Sequence, residues 1–160
     1  MKNTEGATLT ELVLVIAIVG MLIGFASINL FGARSSSSIN ASVEILISDL
    51  RQQQIKAVVG DTEGRGTRDD YGIYFESNRY ILFHGSQYQP NDPTNFVVPL
   101  DDDLSFSKIS VPSSRVVFSK GKGEVDGYNP ASDSVTIHSA SGGQEKTIQF
   151  NRYGAIISVQ

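Results

Sequence analysis

Leu12-Val13-Leu14-Val15-Ile16-Ala17-Ile18-Val19-Gly20-Met21-Leu22-Ile23-Gly24-Phe25-Ala26 is fifteen residues without a polar side chain. Accepting Ser27 and Asn29 carries the apolar run on to Phe31, about twenty residues, which as a helix cover roughly 30 Å, the thickness of a bilayer's hydrocarbon core. The stretch predicts a membrane-spanning helix. Glu11 stands at its front edge beside Thr8 and Thr10. A carboxylate is costly there, about 2.5 to 3.5 kcal/mol at mid-membrane and less near an interface, so Glu11 requires a partner or a functional reason. A secretory signal peptide would also begin basic and continue apolar. Against it stand the single Lys2, an apolar run longer than the usual ~7 to 15 residues, and the acidic Glu11.

Working outward, Gly6-Ala7-Thr8-Leu9-Thr10-Glu11 precedes the apolar helix directly. A short polar leader ending in glycine, a Thr-Leu-x-Glu element and an immediate apolar run together resemble the N-terminus of type IV prepilins and type II secretion pseudopilins. The resemblance implies that a prepilin peptidase cuts between Gly6 and Ala7 and methylates Ala7 as the new N-terminus. It also implies a role for Glu11, which in that family matches the terminal amine of an adjacent subunit and sets axial register. The spacing suits this, because Glu11 lies four residues after Ala7 on the same helix face. Two features depart from the family: Ala7 stands where phenylalanine is usual, and the leader carries only Lys2. Lys2 before the span is balanced by Arg34 after it, so positive-inside counting is tied and orientation follows from the resemblance. Gly20 and Gly24 form a G-x-x-x-G spacing, which lets another helix approach closely and is also common in membrane helices generally.

Beyond Gly32 a polar stretch with four consecutive serines leads into a second helical pattern, in which Ile39, Val43, Leu46, Leu50 and Ala57 recur at spacings of three, four or seven. The first proline is Pro90. Nothing therefore forbids one continuous helix, with residues 35–38 a place where it can bend or fray. Gly60 marks its end, and the Gly-rich, charged residues 61–70 read as a loop. That loop follows a helix and lacks the Lys-Ser or Lys-Thr of a phosphate-binding loop.

The remainder alternates with strand periodicity around Tyr71 to Phe75, Tyr80 to Phe83, Phe96 to Val98, Leu104 and Phe106, Val116 and Phe118, Val135 and Ile137, Ile148 and Phe150, and residues 156–159. Turn residues at Ser77-Asn78, residues 141–143 and residues 151–154 predict antiparallel hairpins, in one sheet or a pair of sheets. A second resemblance narrows the family. Residues 49–57 (Asp-Leu-Arg-Gln-Gln-Gln-Ile-Lys-Ala), 116–121 and 147–156 are similar to the helix end and later strands of the GspH/FimT family, the H-type minor pseudopilins and FimT-like minor pilins. The expected fold class is α+β, a long N-terminal membrane-spanning helix packed by its C-terminal half against an antiparallel β-sheet head, pilin-like. Expected segments are a leader (1–6), a transmembrane part (7–33), an amphipathic extramembrane half (34–60) and a β-rich head (61–160).

Bulk properties exclude several functions. Of 13 basic and 17 acidic residues, Lys2, Glu5 and Glu11 fall in residues 1–33, leaving 12 and 15 for the rest and a charge of −3 there. Such a head offers no obvious phosphate-neutralising footprint. Without cysteine there is no disulfide, thiolate zinc site or thiol nucleophile. His84 and His138 are the only histidines and belong to no catalytic or metal motif. Asp101-Asp102-Asp103 lacks the alternating ligands and central glycine of an EF-hand. No catalytic residue, metal site or cofactor is expected.

The resemblance implies a structural subunit assembled through its N-terminal helix into a type II secretion pseudopilus or type IV pilus-like filament, as a minor or tip component. Its implied partners are the prepilin peptidase, other pilin or pseudopilin subunits and an inner-membrane assembly platform. The implied location is the inner membrane, single-pass, with the head periplasmic or extracellular. The alternative within the family is a FimT-like DNA receptor in natural transformation, for which only Lys146 and Arg152 are available near the C-terminus.

Overall fold

In a computed structural model of the chain, residues 8–160 are described, with the side chains of residues 26–35 excepted. The leader (1–6), including Gly6, and Ala7 lie outside the described residues. Helix α1 (Leu9–Val59) is 51 residues long, about 75 Å at 1.5 Å per residue. Thr8 caps its start in an extended conformation, its side chain accepting from the Glu11 amide. Gly60 ends it in the left-handed region at φ 68°, with the Asp61 amide bonding back to the Lys56 carbonyl. Helix α1 runs unbroken through the serine stretch, where hydroxyls turn outward to the head: Ser36 bonds the Gln144 amide and Ser38 donates to Asp101.

All eight expected strand segments are strands: β1 (Tyr71–Phe75), β2 (Arg79–His84), β3 (Phe96–Pro99), β4 (Leu104–Ser110), β5 (Arg115–Phe118), β6 (Ser134–Ser139), β7 (Glu145–Phe150) and β8 (Ile156–Val159). They form two antiparallel sheets, in the orders β3-β2-β1-β5 and β4-β6-β7-β8. The stripe Ile39, Val43, Leu46, Leu50 and Ala57 is buried, and it shares one core with Tyr71, Ile73 and Phe75 of the first sheet and Val135, Ile137 and Ile148 of the second. Phe106 of β4 closes the seam, its ring edge-on to Phe75 at 5.3 Å between centroids.

The expected fold class is settled in one respect and corrected in another. The head, expected as an antiparallel sheet or a pair of sheets, is two four-stranded sheets, because β4 leaves β3 and pairs with β6, setting Leu104 opposite Ser139 and Phe106 opposite Ile137. Among the described residues no helix is long and apolar enough to cross a membrane. The run wholly without polar side chains, Leu12 to Ala26, covers about 22 Å along a helix, against the roughly 30 Å of a bilayer's hydrocarbon core. Ser27 and Asn29 then interrupt the run. The transmembrane assignment of residues 7–33 and the single-pass inner-membrane placement are withdrawn on this finding.

Gly72 shows how tightly the first sheet is packed. A Cβ there would lie 2.6 Å from the Val116 carbonyl oxygen and 2.7 Å from the Phe83 ring. Backbone cannot yield cheaply, and overpacking costs about 1 to 3 kcal/mol. Gly72→Ala is expected to lower the melting temperature of the full chain by several degrees, read by near-ultraviolet circular dichroism. An unchanged melting curve would show that β1 and β5 separate more easily than this packing implies.

Candidate functional site

The two halves of α1 meet different surroundings. Its C-terminal half carries the buried stripe, whereas residues 8–25 are exposed without exception. Leu9 is 81% exposed, Met21 70% and Phe25 71%. Because residues 12–19 are apolar at every position, the grease wraps the whole circumference and leaves no polar face. Helices of that kind are normally buried on all sides. Monomeric soluble proteins rarely leave a contiguous apolar surface of this extent uncovered, so the segment marks an interaction site.

Gly20 and Gly24 lie within this segment, and a Cβ at either would meet nothing within 4 Å. Both are open to an approaching helix. Glu11 is exposed and occupies the third helical position after the Thr8 cap, whose hydroxyl oxygen accepts from the Glu11 amide at 3.3 Å. Thr8-Leu9-Thr10-Glu11 therefore has the T-x-x-E pattern of a capping box, and a carboxylate in the first turn complements the helix dipole. Helix capping is thus a local reason for an acidic residue at position 11. The proposed partner of Glu11, the Ala7 amine, lies outside the described residues, as does the Gly6–Ala7 bond.

In the head, the polar residues singled out from sequence serve local structure. His84 lies between two carboxylates, Nδ1 at 2.9 Å from Asp69 and Nε2 at 3.2 Å from Asp92, so it ties residues 61–70 to the loop before β3. His138 Nδ1 stands 3.5 Å from Glu145. Of the three consecutive aspartates, Asp101 accepts from Ser38. Asp103 accepts from the Ser139 hydroxyl at 2.6 Å and from the hydroxyl and amide of Ser141, both at 2.8 Å. The two serine hydroxyls, Ser139 foremost, hold the Asp103 carboxyl below its usual range. No group of three or more acidic, histidine or cysteine side chains among the described residues could hold a metal ion. Near the C-terminus, Arg152 is paired with Glu124 at 3.0 Å, and Lys146 is half-buried in β7.

One buried polar residue on α1 interrupts the apolar stripe. The stripe on α1 passes from Leu50 to Ala57 with a gap of seven, and position 53, which the three-and-four spacing would fill, is Gln53. It is only 2% exposed, and among the described residues its Oε1 has no hydrogen-bond partner. A polar residue at a vacant core position of a regular stripe was the available signal.

The chain matches no protein-family model, and comparison with curated proteins and with solved structures gives no significant match. Nothing in these comparisons supports the secretion-system and pseudopilin descriptions that the N-terminal resemblance implies.

Two outcomes follow from the local chemistry. Thr8→Ala removes a cap contributing about 1 kcal/mol; amide exchange at residues 9–12 should then quicken about fivefold while the head's protection is unchanged. Asp103 titrates below its unfolded value, so its stabilisation is present above about pH 4 and is lost as pH falls through the folded value. Thermal melts between pH 7 and pH 2 should show this loss, and Asp103→Asn should flatten the acid limb while lowering stability at pH 7.

Proposed function

We propose that the chain is a structural subunit that self-assembles through residues 9–25 of α1, packing this segment against the same segment of neighbouring copies and holding the β head outside the bundle. The observation that carries the proposal is the unbroken collar of exposed apolar side chains on a helix whose other half is already docked on the head. A collar on every side suits a bundle of several helices better than a two-helix seam, which would cover a single stripe. Open glycines at positions 20 and 24 suit close helix contact. The prepilin-like residues 6–11 support a pilin-like filament as the form of the assembly. On that basis a prepilin peptidase removes residues 1–6, and Glu11 faces the amine of Ala7 from an adjacent subunit. Catalysis plays no part in this role. A DNA-receptor role draws no support from Arg152, whose guanidinium is occupied by Glu124.

Burying one Leu- or Ile-sized side chain stabilises contact by about 1.5 to 3 kcal/mol, and an unpaired charge in a dry bundle costs several more. Ile16→Arg is therefore expected to reduce assembly of the full chain at least tenfold, measured by analytical ultracentrifugation and negative-stain microscopy, while the head's melting transition is unchanged. Wild-type protein that stays monomeric with or without residues 1–6 would reject the proposal.

A further inference from the structure

We infer that residues 89–95 form a flap latched to the head by the His84 imidazolium, closed while the ring carries both protons and released when it gives one up. The latch stands apart from assembly through residues 9–25. Between β2 and β3 the chain first lays Tyr88 on the outer face of the first sheet, its ring stacked on Tyr74 at 4.2 Å between centroids and edge-on to the buried Phe83 at 5.7 Å. That anchor is apolar. Residues 89–95 then close on themselves: the Asp92 amide donates to the Gln89 carbonyl, the Asn95 amide to the Asp92 carbonyl, and the Asn95 side-chain amide to the Gln89 carbonyl. They form one body.

Very little ties that body to the rest of the head. Of its side chains only Asp92 and Asn95 are half-buried. Among the described residues no hydrogen bond leaves it, and its one ion pair is the contact of Asp92 Oδ2 with His84 Nε2 at 3.2 Å. His84 and Thr94 both line the cavity of about 410 Å³ beside α1, so release of the flap removes part of its wall.

The two carboxylates around His84 are committed in the same way. Asp69 Oδ1 accepts from the Asp70 amide, and Asp92 Oδ1 accepts from the amide and hydroxyl of Thr94, which leaves each Oδ2 to the imidazole. Nδ1 stands 2.9 Å from Asp69, opposite Nε2 and Asp92. A neutral imidazole has one N–H and one lone pair. It can donate to Asp69 only by turning the lone pair on Asp92, and the other tautomer reverses the fault. The imidazolium has a proton for each. Histidine changes charge between pH 5 and 8, so the latch is closed on the acid side and opens as pH rises. Asp92 stays a carboxylate through that range, because the Thr94 hydroxyl first and its amide second hold it below the usual value. The other charged and titratable groups on this side of the head are engaged elsewhere. Glu63 takes Lys56 and Arg65, Asp49 takes the Tyr80 hydroxyl, and Tyr71, opposite His84 on β1, donates to the Asp61 carbonyl.

The test is amide exchange on the full chain at pH 5.5 and pH 8, expressed as protection factors so that the intrinsic pH dependence of exchange divides out. Protection of the Asp92 and Asn95 amides is expected to fall about fivefold at the higher pH, the loss of one partly exposed ion pair, while the amides of β1 and β2 keep theirs. His84→Gln should show the low value at both pH values. Asp92→Asn should do the same; it keeps the oxygen that Thr94 uses and lies outside the strands, so it decides the matter if His84→Gln disturbs β2. His138→Gln, at the only other histidine, should retain the parent's pH dependence. Equal protection at both pH values in the parent, a fall that persists in Asp92→Asn, or one that disappears in His138→Gln would overturn the inference.

Discussion

The fold depends on one contact: the stripe Ile39, Val43, Leu46, Leu50 and Ala57 of α1 pressed into the seam where two sheets meet. Each sheet alone has one face that must be covered, and neither covers the other completely. The helix supplies what is missing, and at about 1.5 to 3 kcal/mol for each large side chain fully buried it is the principal apolar contribution shared by both sheets. Polar groups then fix its position. Gln54 Nε2 donates to the carbonyls of Gly123 and Tyr153, so one amide joins the helix to the turn after β5 and to the turn before β8. Both turns approach so closely that Gly123 and Gly154 sit against Gln54, at φ 68° and 69°.

The same helix carries an opposite property toward its N-terminus. From Leu12 to Phe25 the residues are apolar on all sides and exposed, while from Ile39 onward they are sorted into a buried stripe and a wetter back. A single chain satisfies the second arrangement and leaves the first unsatisfied. The head is thus complete as a folded unit, and the incomplete part of the molecule is a rod. Thr8, as cap, and Glu11, in the first turn, keep that rod helical to its tip.

Much of this was legible in the residues. Strand positions were legible where large apolar residues recur at every second position, as in Tyr71, Ile73 and Phe75 of β1 or Ile148 and Phe150 of β7. The stripe on α1 was visible at its three-and-four spacing for the same reason. Sheet number was not legible, since β4 could have continued beside β3; its pairing with β6 depends on contacts between residues some thirty positions apart, such as Phe106 with Ile137. The expected membrane span depends on counting Ser27 and Asn29 as part of the apolar run, and among the described residues no helix is long and apolar enough to cross a membrane. Gln53 was passed over because a charged or polar residue on a helix is ordinarily solvent-facing, and only its place in the stripe betrays that it is buried. The serine stretch seemed a weak point of the helix, yet Ser36 and Ser38 have partners on Gln144 and Asp101, which no local pattern announces.

The order in which the chain visits the two sheets has a consequence of its own. It lays down β1, β2 and β3 in one, moves to the other for β4, returns for β5, and finishes with β6, β7 and β8 in the second. Neither sheet is a continuous piece of polypeptide. No single cut yields both sheets intact: between β4 and β5 it leaves each lacking a strand, before β4 it leaves the first sheet without β5, and after β5 it leaves the second without β4. On a ribosome, the earliest strands must wait for β5 to complete their sheet and for the last hairpin to close the groove around the helix. Such interleaving favours a single all-or-none transition with slow, long-range closure over stepwise assembly.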